Sequence, residues 1–427
     1  MRVLLLGANG FIGSHLAARL HGAGHAVIGV GRRRPLTTAL SGWLRIDLRQ
    51  ATSPGHWRDA LVGIDAVVNC AGVLQDGPRD STRAVHADAP AALYAACETA
   101  GVRRVIHVSA SGVERGAVSA FSATKAEAER ALMAGGLDWI ILRPSVVVGR
   151  AAYGGSALFR GLAALPFAFS PPNAGPLQIV QLDDLVEGVT RLLAPDAPSR
   201  MALDVVGPER LSFDEVVAAY RRWLGWRPAR RFAAPAVLVV MGYQLGDLAG
   251  WLGWRSPIRS TARREIVRGA VGDSAPWLRV TGVAPKALDQ ALAAAPAAAQ
   301  ERWFARLYLL KPLVFLAFAL FWIGTAIVSL TTGFRLGEDM LRRGGLGDAS
   351  PTLVVLGALA DLFTGLAIAF RPTSRVGLYA ALAISAFYAA SGSILTPWLW
   401  NDPLGPLLKI WPVMALNLVA LAVLEER

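Results

Sequence analysis

Charge is what this sequence has least of. Only 17% of its 427 residues are Asp, Glu, Lys or Arg, against about 25% in an ordinary soluble domain. The deficit is uneven, with the apolar excess gathered after Leu310. That distribution excludes a wholly soluble chain and places some segment in lipid. Lysine is scarcer still: all but four of the 43 basic residues are arginine, the exceptions being Lys125, Lys286, Lys311 and Lys409. The two cysteines, Cys70 and Cys97, stand in no metal-ligand spacing, which argues for reduced thiols and no metal site. A net charge of +12 would suit nucleic acid, but no recognition helix, RNA-binding signature or basic run interleaved with aromatics accompanies it. Basic faces resting on an anionic bilayer fit the apolar tail better. No signal peptide is expected, because Met1 to Leu6 is too short for its apolar region and leads straight into a glycine turn.

In the N-terminal half, short apolar runs alternate with alanine-rich helical stretches. The runs are Val3–Leu6, Ala26–Val30, Trp43–Ile46, Ala66–Asn69, Val105–Val108 and Trp139–Leu142; helices are expected at Ser14–His21 and Pro90–Ala100. β-Branched runs of this length suit strands buried on both faces. Alternation with helices predicts an α/β, doubly wound parallel sheet of Rossmann type. The first turn reads Gly7-Ala8-Asn9-Gly10-Phe11-Ile12-Gly13. Gly7 permits a tight turn, Gly10 lets backbone amides approach a pyrophosphate, and Gly13 lets a helix pack closely on the strand, with the phosphates at its positive N-terminus. The second strand ends in Gly31-Arg32-Arg33-Arg34, where an NAD site would carry an acid for the ribose hydroxyls. Arginine there suits the 2′-phosphate of NADP. Asp47, after the third strand, is placed to accept from an adenine amino group or to cap a turn.

With these residues in place, Met1 to Trp226 resembles the extended and atypical short-chain dehydrogenase/reductases. The glycine turn has that family's form. Asn69-Cys70-Ala71-Gly72 resembles its Asn-Ala-Gly strand end, which shapes the adenine side. Val108-Ser109-Ala110-Ser111 resembles the strand end bearing its active-site serine, with Ser111 the better match by position and Ser109 the second. Lys125 followed by Ala-Glu-Ala-Glu resembles its lysine helix, and Arg143-Pro144-Ser145 its loop beside the nicotinamide. The resemblance implies Gly7, Asn9, Gly10, Phe11, Ile12, Gly13, Arg32, Arg33, Asp47, Ala71, Gly72, Lys125 and Pro144 as cofactor residues, and Ser111 and Lys125 as catalytic ones. One departure stands out. The family's tyrosine, four residues before the lysine, is here Phe121, which can neither give nor take a proton. Ser122 is a far weaker stand-in, and His86 and His107 read as structural histidines. Two expectations follow: an NADP(H)-dependent oxidoreductase acting on a carbonyl or quinone-type small molecule, or a non-catalytic nucleotide module similar to the nucleotide-binding accessory subunit of respiratory complex I.

Beyond it, Gln178 to Asp184 resembles the family's strand leading into a paired-aspartate helix start. Gly207 to Arg210 reads as a turn, and Ser212 with Glu215 has the spacing of a capping box. The apolar stretch Phe232–Trp254, broken by Pro235, Gly242, Asp247 and Gly250, has two readings, a fifth span or, preferred, a helix pair lying on the bilayer or over the substrate cleft. Four segments near the ~20 residues that span hydrocarbon then follow: Pro312–Phe334, Pro351–Phe370, Val376–Trp400 and Pro403–Leu424. They predict an all-α bundle of four transmembrane helices. Span number and Glu301-Arg302-Trp303-Phe304-Ala305-Arg306 make this region similar to the DoxX-like family. The basic residues Arg302, Arg306, Lys311, Arg371 and Arg375 put the nucleotide domain and both termini on the cytoplasmic side of the inner membrane. Asp361, near the middle of the second span, is expected to face the bundle interior, protonated or paired, with Lys409 either reaching toward it or snorkelling outward and Asn417 nearby. One expectation makes the bundle only an anchor or a docking site for a partner membrane protein; another makes its polar cluster a proton or quinol site, with an interhelical polar clamp as the alternative. The expected domains are 1–226, a connecting segment 227–300, and 301–427. The arginine run generates the first test: NADPH should bind more tightly than NADH in titration calorimetry, and alanine at Arg32, Arg33 and Arg34 together should erase the difference. Equal wild-type affinities would overturn the reading.

Overall fold

The computed structural model describes residues 1–35, 37–78, 80–168, 170–231, 236–254 and 256–425. It comprises two compact units, Met1–Leu248 with Ser256–Arg306, and Ala249–Arg255 with Leu307–Arg427. Of the apolar stretch read above, Phe232 and Pro235 lie outside the described residues.

The first unit opens with β1 (Arg2–Leu6), α1 (Phe11–Gly22), β2 (Ala26–Gly31), β3 (Gly42–Arg45), β4 (Ala66–Asn69), α2 (Ala89–Ala100), β5 (Arg104–Val108), α3 (Ala120–Met133) and β6 (Asp138–Pro144). It continues through β7 (Val146–Val148), α4 (Gly154–Ala163), β8 (Phe167–Ala168), β9 (Ile179–Gln181), α5 (Leu182–Leu192), β10 (Met201–Val205), α6 (Phe213–Trp223) and β11 (Arg230–Arg231). Seven strands pair in the order β10-β6-β5-β4-β1-β2-β3, all parallel. Two small parallel pairs, β7 with β9 and β8 with β11, lie outside it. The sheet is coated on both faces. Val3 and Leu5 join α1 and α5 in one buried cluster, whereas Leu4 and Leu6 join α2 in another. This is why the strands read as unbroken apolar runs. Of the seven strands in the main sheet, β10 is the one the sequence reading missed; the short strands β7, β8 and β11 were not read either. Ser212 caps α6 as read: its Oγ accepts from Glu215 N at 3.2 Å while Glu215 Oε2 accepts from Ser212 N at 2.7 Å.

The last part of this unit holds α7 (Ala236–Trp251), whose final turn belongs to the second unit, then α8 (Ser260–Arg268), α9 (Ala275–Thr281) and α10 (Leu288–Ala294). Residues 256–306 are pinned to the sheet by Trp277, which is fully buried. A Cβ on Gly188 would come 2.0 Å from its ring. Truncating such a ring costs about 3–5 kcal/mol, so this stretch is integral to the nucleotide unit.

The second unit is helical. Helix α11 (Ala299–Leu330) enters it from the first; α12 (Phe334–Leu341), α13 (Ser350–Ala369), α14 (Ser374–Leu395) and α15 (Ile410–Val423) follow. Among the described residues three helices are long and apolar enough to span a bilayer; α15, with 14 residues, is apolar but shorter. The loop expected after the first span folds as α12. Helices approach closely at small residues, as membrane bundles do: a Cβ on Gly365 would sit 2.7 Å from the Ile323 side chain. Asp361 is buried, as expected, but its partner differs from the sequence reading. Tyr388 Oη donates to Asp361 Oδ1 at 3.0 Å, and among the described residues no ion pair joins Asp361 to Lys409. The reason is that α15 begins at Ile410, leaving Lys409 exposed at its N-cap. Asn417 is fully buried, and its Nδ2 donates to Leu378 O at 3.2 Å. Tyr388→Phe should therefore destabilise the bundle by about 0.5–1.7 kcal/mol, read as a lower thermal midpoint in detergent. Lys409→Met should leave that midpoint unchanged, and the reverse pattern would restore the lysine as the partner.

Candidate nucleotide-binding active site

Helix α1 follows β1 across a turn in which Gly7 has φ +72° and Gly10 N donates to Gly7 O at 2.8 Å. A Cβ on Gly13 would fall 2.2 Å from Gly7 O, so helix and strand can meet only if residue 13 is glycine. The Gly10 N-cap offers no side-chain bond to the helix. The first-turn amides of Phe11, Ile12 and Gly13 are thus unspent by any cap, and the helix end has the donors and dipole that suit a pyrophosphate. Tyr153 stacks on Phe11 with centroids 5.5 Å apart, forming an aromatic wall the sequence reading did not include.

At the neighbouring strand ends, Asn69 Oδ1 accepts from Ala71 N at 3.0 Å, shaping the turn that carries Ala71 and Gly72. Lys125, on α3, is buried. Its Nζ donates to Val108 O at 2.7 Å and, more weakly, to Ala71 O at 3.4 Å. Burial lowers its pKa to about 8. Behind it, Arg143 Nη2 meets Glu129 Oε2 at 2.6 Å, with Glu129 buried. The second acid of the Ala-Glu-Ala-Glu run thus ties the lysine helix to β6, whose end carries Pro144.

His86 lies on a π-helical turn, Ala84–Asp88. Its Nε2 accepts from Val73 N at 2.9 Å and its Nδ1 bonds Thr124 Oγ1 at 3.0 Å. A backbone amide can only donate, so Nε2 is unprotonated and Nδ1 carries the hydrogen. Burial first, and Lys125 second, hold its pKa well below the ordinary value. The ring is a neutral brace, and Phe121 packs on it edge to face at 5.4 Å. His107 is a core residue on β5, where its Nδ1 meets Tyr94 Oη at 2.9 Å.

The candidate serines divide. Ser122 Oγ is fully buried and accepts from the backbone amides of Val118 and Ser119 at 3.0 and 3.1 Å, so it starts α3 and has no open side toward a substrate. Ser111 Oγ donates to Val271 O at 3.0 Å, and Arg268 Nη2 bonds Ser111 O at 3.1 Å. Ser109 Oγ is buried with no hydrogen-bond partner among the described residues. Residues 256–273 thus run as a strap over the serine loop; Glu265 on α8 accepts from Ser119 Oγ. No periodic pattern announced that strap. Beside it, Val118, Ser260, Arg263, Arg264, Val267 and Arg268 line a cavity of about 520 Å³.

At the far end of the cleft, Arg32 pairs with Asp80 at 3.1 Å. Asn9 Nδ2 donates to Arg33 O at 3.4 Å, and the side chains of Arg32, Arg33 and Arg34 are exposed. Asp47 caps its own turn through Arg49 N and pairs with Arg49 Nη2 at 2.6 Å; that bond holds its carboxyl below the ordinary value. Among the described residues no cluster of three or more potential metal ligands occurs.

The fold and site define an NAD(P)-binding unit of Rossmann type joined to a membrane domain. Residues 7–159 match the NAD(P)H-binding family model and residues 319–418 the DoxX-like family. Sterol demethylase protein B of Methylococcus capsulatus is 30% identical over 337 residues, covering 71% of this chain and 99% of that protein. An uncharacterized Mycobacterium tuberculosis protein is 27% identical over 223 residues, covering 52% of this chain; the chain spans 23% of that relative's length. Among solved structures, MoeE5 with UDP-glucuronic acid and NAD superposes at TM-score 0.52, with 24% identity over 69% of this chain and 97% of that one. The Bacillus cereus UDP-glucuronic acid 4-epimerase with NAD superposes at 0.53, with 18% identity over 72% and 100%. These two establish the fold alone. The chain belongs to the family of sterol demethylase protein B; it joins an NAD(P)H-binding unit to a DoxX-like domain, and it is a membrane protein.

The position of Lys125 generates a pH test. An anionic cofactor beside a lysine with a pKa of about 8 binds the protonated form better. Affinity for NADPH should be highest below pH 8 and fall as pH rises through it, by up to about tenfold per unit for one linked proton. Lys125→Met should flatten the profile in fluorescence titrations, and a flat wild-type profile would contradict the assignment.

Proposed function

We propose that this protein is a membrane-anchored, NADP(H)-preferring oxidoreductase acting on a carbonyl or quinone-type substrate carried by the bilayer, with its nucleotide unit and both termini on the cytoplasmic side. The observation that carries the reading is Lys125: a buried ammonium with a pKa lowered to about 8, two of its three hydrogens directed at the Val108 and Ala71 carbonyls. A group poised near the working pH is suited to acid–base chemistry. The bound nicotinamide supplies a hydride. In this reading Gly7, Gly10 and Gly13 and the α1 amides hold the pyrophosphate, Arg32 and Arg33 meet the 2′-phosphate, Asp47 lies on the adenine side, and Ala71, Gly72 and Pro144 border the ribose and ring. Lys125 holds the proton for the substrate oxygen, replacing the phenol that Phe121 lacks, and Ser111 orients that oxygen once released from Val271. The name of the relative from Methylococcus capsulatus, a sterol demethylase protein, favours a lipid-soluble, sterol-like substrate.

The loss of the tyrosine also favours a second reading, a nucleotide-binding module without turnover, docked to a membrane partner. NADPH oxidation against cyclic ketones and quinones in proteoliposomes separates the two. Turnover is expected in the wild type and should fall by about 10²–10⁴ in Lys125→Met. Phe121→Tyr should keep cofactor binding and raise carbonyl reduction. Stoichiometric binding without turnover would favour the second reading, and a slower tyrosine variant of a fast wild type would assign Phe121 to another mechanism.

A further inference from the structure

Helix α7 is apolar apart from Gln244 and Asp247, and protein covers only one side of it. Val239, Tyr243, Gly246 and Gly250 form its buried stripe. A Cβ on Gly246 would lie 1.6 Å from Ile258 O, so the strap packs directly on the helix backbone. Opposite them, Val237, Leu238, Met241, Leu245, Leu248 and Trp251 are each 49–72% exposed. At 100° per residue these six fall on one stripe, with Gln244 the one polar residue among them, and this is far more apolar surface than a water-facing helix presents. The helix carries one charged residue, Asp247. Its carboxylate accepts from Gln75 Nε2 at 3.0 Å and Ser260 N at 3.2 Å, on the protein side. The sixteen described residues of α7 rise ~24 Å, against ~30 Å of hydrocarbon, and one side of them is packed on protein.

What covers the stripe is indicated by where the helix ends. The residues that follow are held at the ends of the membrane spans. Trp254 Nε1 donates to Ala369 O, the last residue of α13, at 2.8 Å. Its ring lies 4.7 Å from Phe315 of α11. Arg371 N donates to Leu252 O at 3.0 Å. That level is the hydrocarbon boundary, where tryptophan and arginine side chains collect. We infer that α7 is an interfacial membrane helix, its apolar stripe sunk ~5–10 Å into the headgroup–acyl boundary, and that it delivers a bilayer-dissolved substrate to the active site. Delivery rests on the function proposed above. Asp247 ties the inner side of α7 to Gln75, which follows the Ala71–Gly72 turn, and to Ser260, on the rim of the cavity beside the serine loop. A lipid-borne substrate is then one helix diameter, ~10–12 Å, from that cavity.

The test uses the full chain in phosphatidylcholine–phosphatidylglycerol nanodiscs. Burial pushes both native thiols up to about 12, so single cysteines can be labelled selectively with an environment-sensitive fluorophore. Labels at Leu245→Cys and Met241→Cys should be quenched by lipids spin-labelled near the headgroup and shielded from aqueous iodide. A label at Val62→Cys, in a residue 70% exposed on the nucleotide unit, should behave the opposite way. If position 245 is quenched by iodide as strongly as position 62 and ignores the lipid quencher, the interfacial helix is wrong. This readout needs no turnover, so it stands if the oxidoreductase reading fails. For delivery, Leu245→Glu with Leu248→Glu should raise KM for a bilayer-dissolved ketone about tenfold, leaving kcat, NADPH affinity and turnover of a short water-soluble ketone unchanged. An unchanged KM would overturn delivery.

Discussion

The nucleotide unit is organised around one buried cation. Lys125 is the only lysine in the first 285 residues, and it is held by carbonyls at the ends of two adjacent strands. Burying an ammonium without a contacting carboxylate is costly, and the protein meets the cost partly by lowering its proton affinity. The neighbours follow from that constraint. His86 is kept neutral by the same burial and by the lysine's charge; its two nitrogens are committed to Val73 and Thr124. Glu129 is turned away to Arg143, which fixes α3 against β6 and leaves the ammonium to the cleft.

A second constraint is the covering of apolar surface. Both faces of the seven-stranded sheet are coated by helices, so the strands need no polar side. The helices of the other unit have no such coat: the three long ones have no more than a third of their most apolar stretch buried, and lipid takes the place of a partner. Inside the bundle, where lipid offers no hydrogen bonds, Asp361 accepts from Tyr388 and Asn417 Nδ2 donates to the Leu378 carbonyl, while Asn417 Oδ1 is buried with no hydrogen-bond partner among the described residues. The exposed stripe of α7 belongs to the same logic, since an apolar helix side left by protein is a side for lipid.

Local patterns were legible in the sequence; non-local contacts were not. The turn from Gly7 to Gly13, the six sheet strands, the Ser212–Glu215 cap and the burial of Asp361 all follow from spacing within a few residues. The seventh strand escaped because Met201-Ala202-Leu203-Asp204-Val205 interrupts its apolar run with an acid, whose carboxylate accepts from Asp273 N. The strap over Ser111 escaped because its contacts join residues about 160 apart. Depth along an ideal helix suggested Lys409 as the partner of Asp361, but the late start of α15 removed it and gave the place to Tyr388. Asp47 had two readings, and the one visible in the free chain is turn capping through Arg49. The substrate was not legible, because the strap and the cavity beside it are built from parts with no motif.

The central claim is that the nucleotide unit transfers hydride to a molecule in the bilayer. The most direct measurement is isotopic: proteoliposomes containing the full chain and a lipid-soluble cyclic ketone are incubated with NADPH stereospecifically deuterated at the nicotinamide C4, and the extracted alcohol is analysed by mass spectrometry. The account predicts one deuterium on the carbinol carbon from one face of the nicotinamide and none from the other. Bound, unconsumed NADPH and unlabelled lipid across ketones and quinones would contradict it.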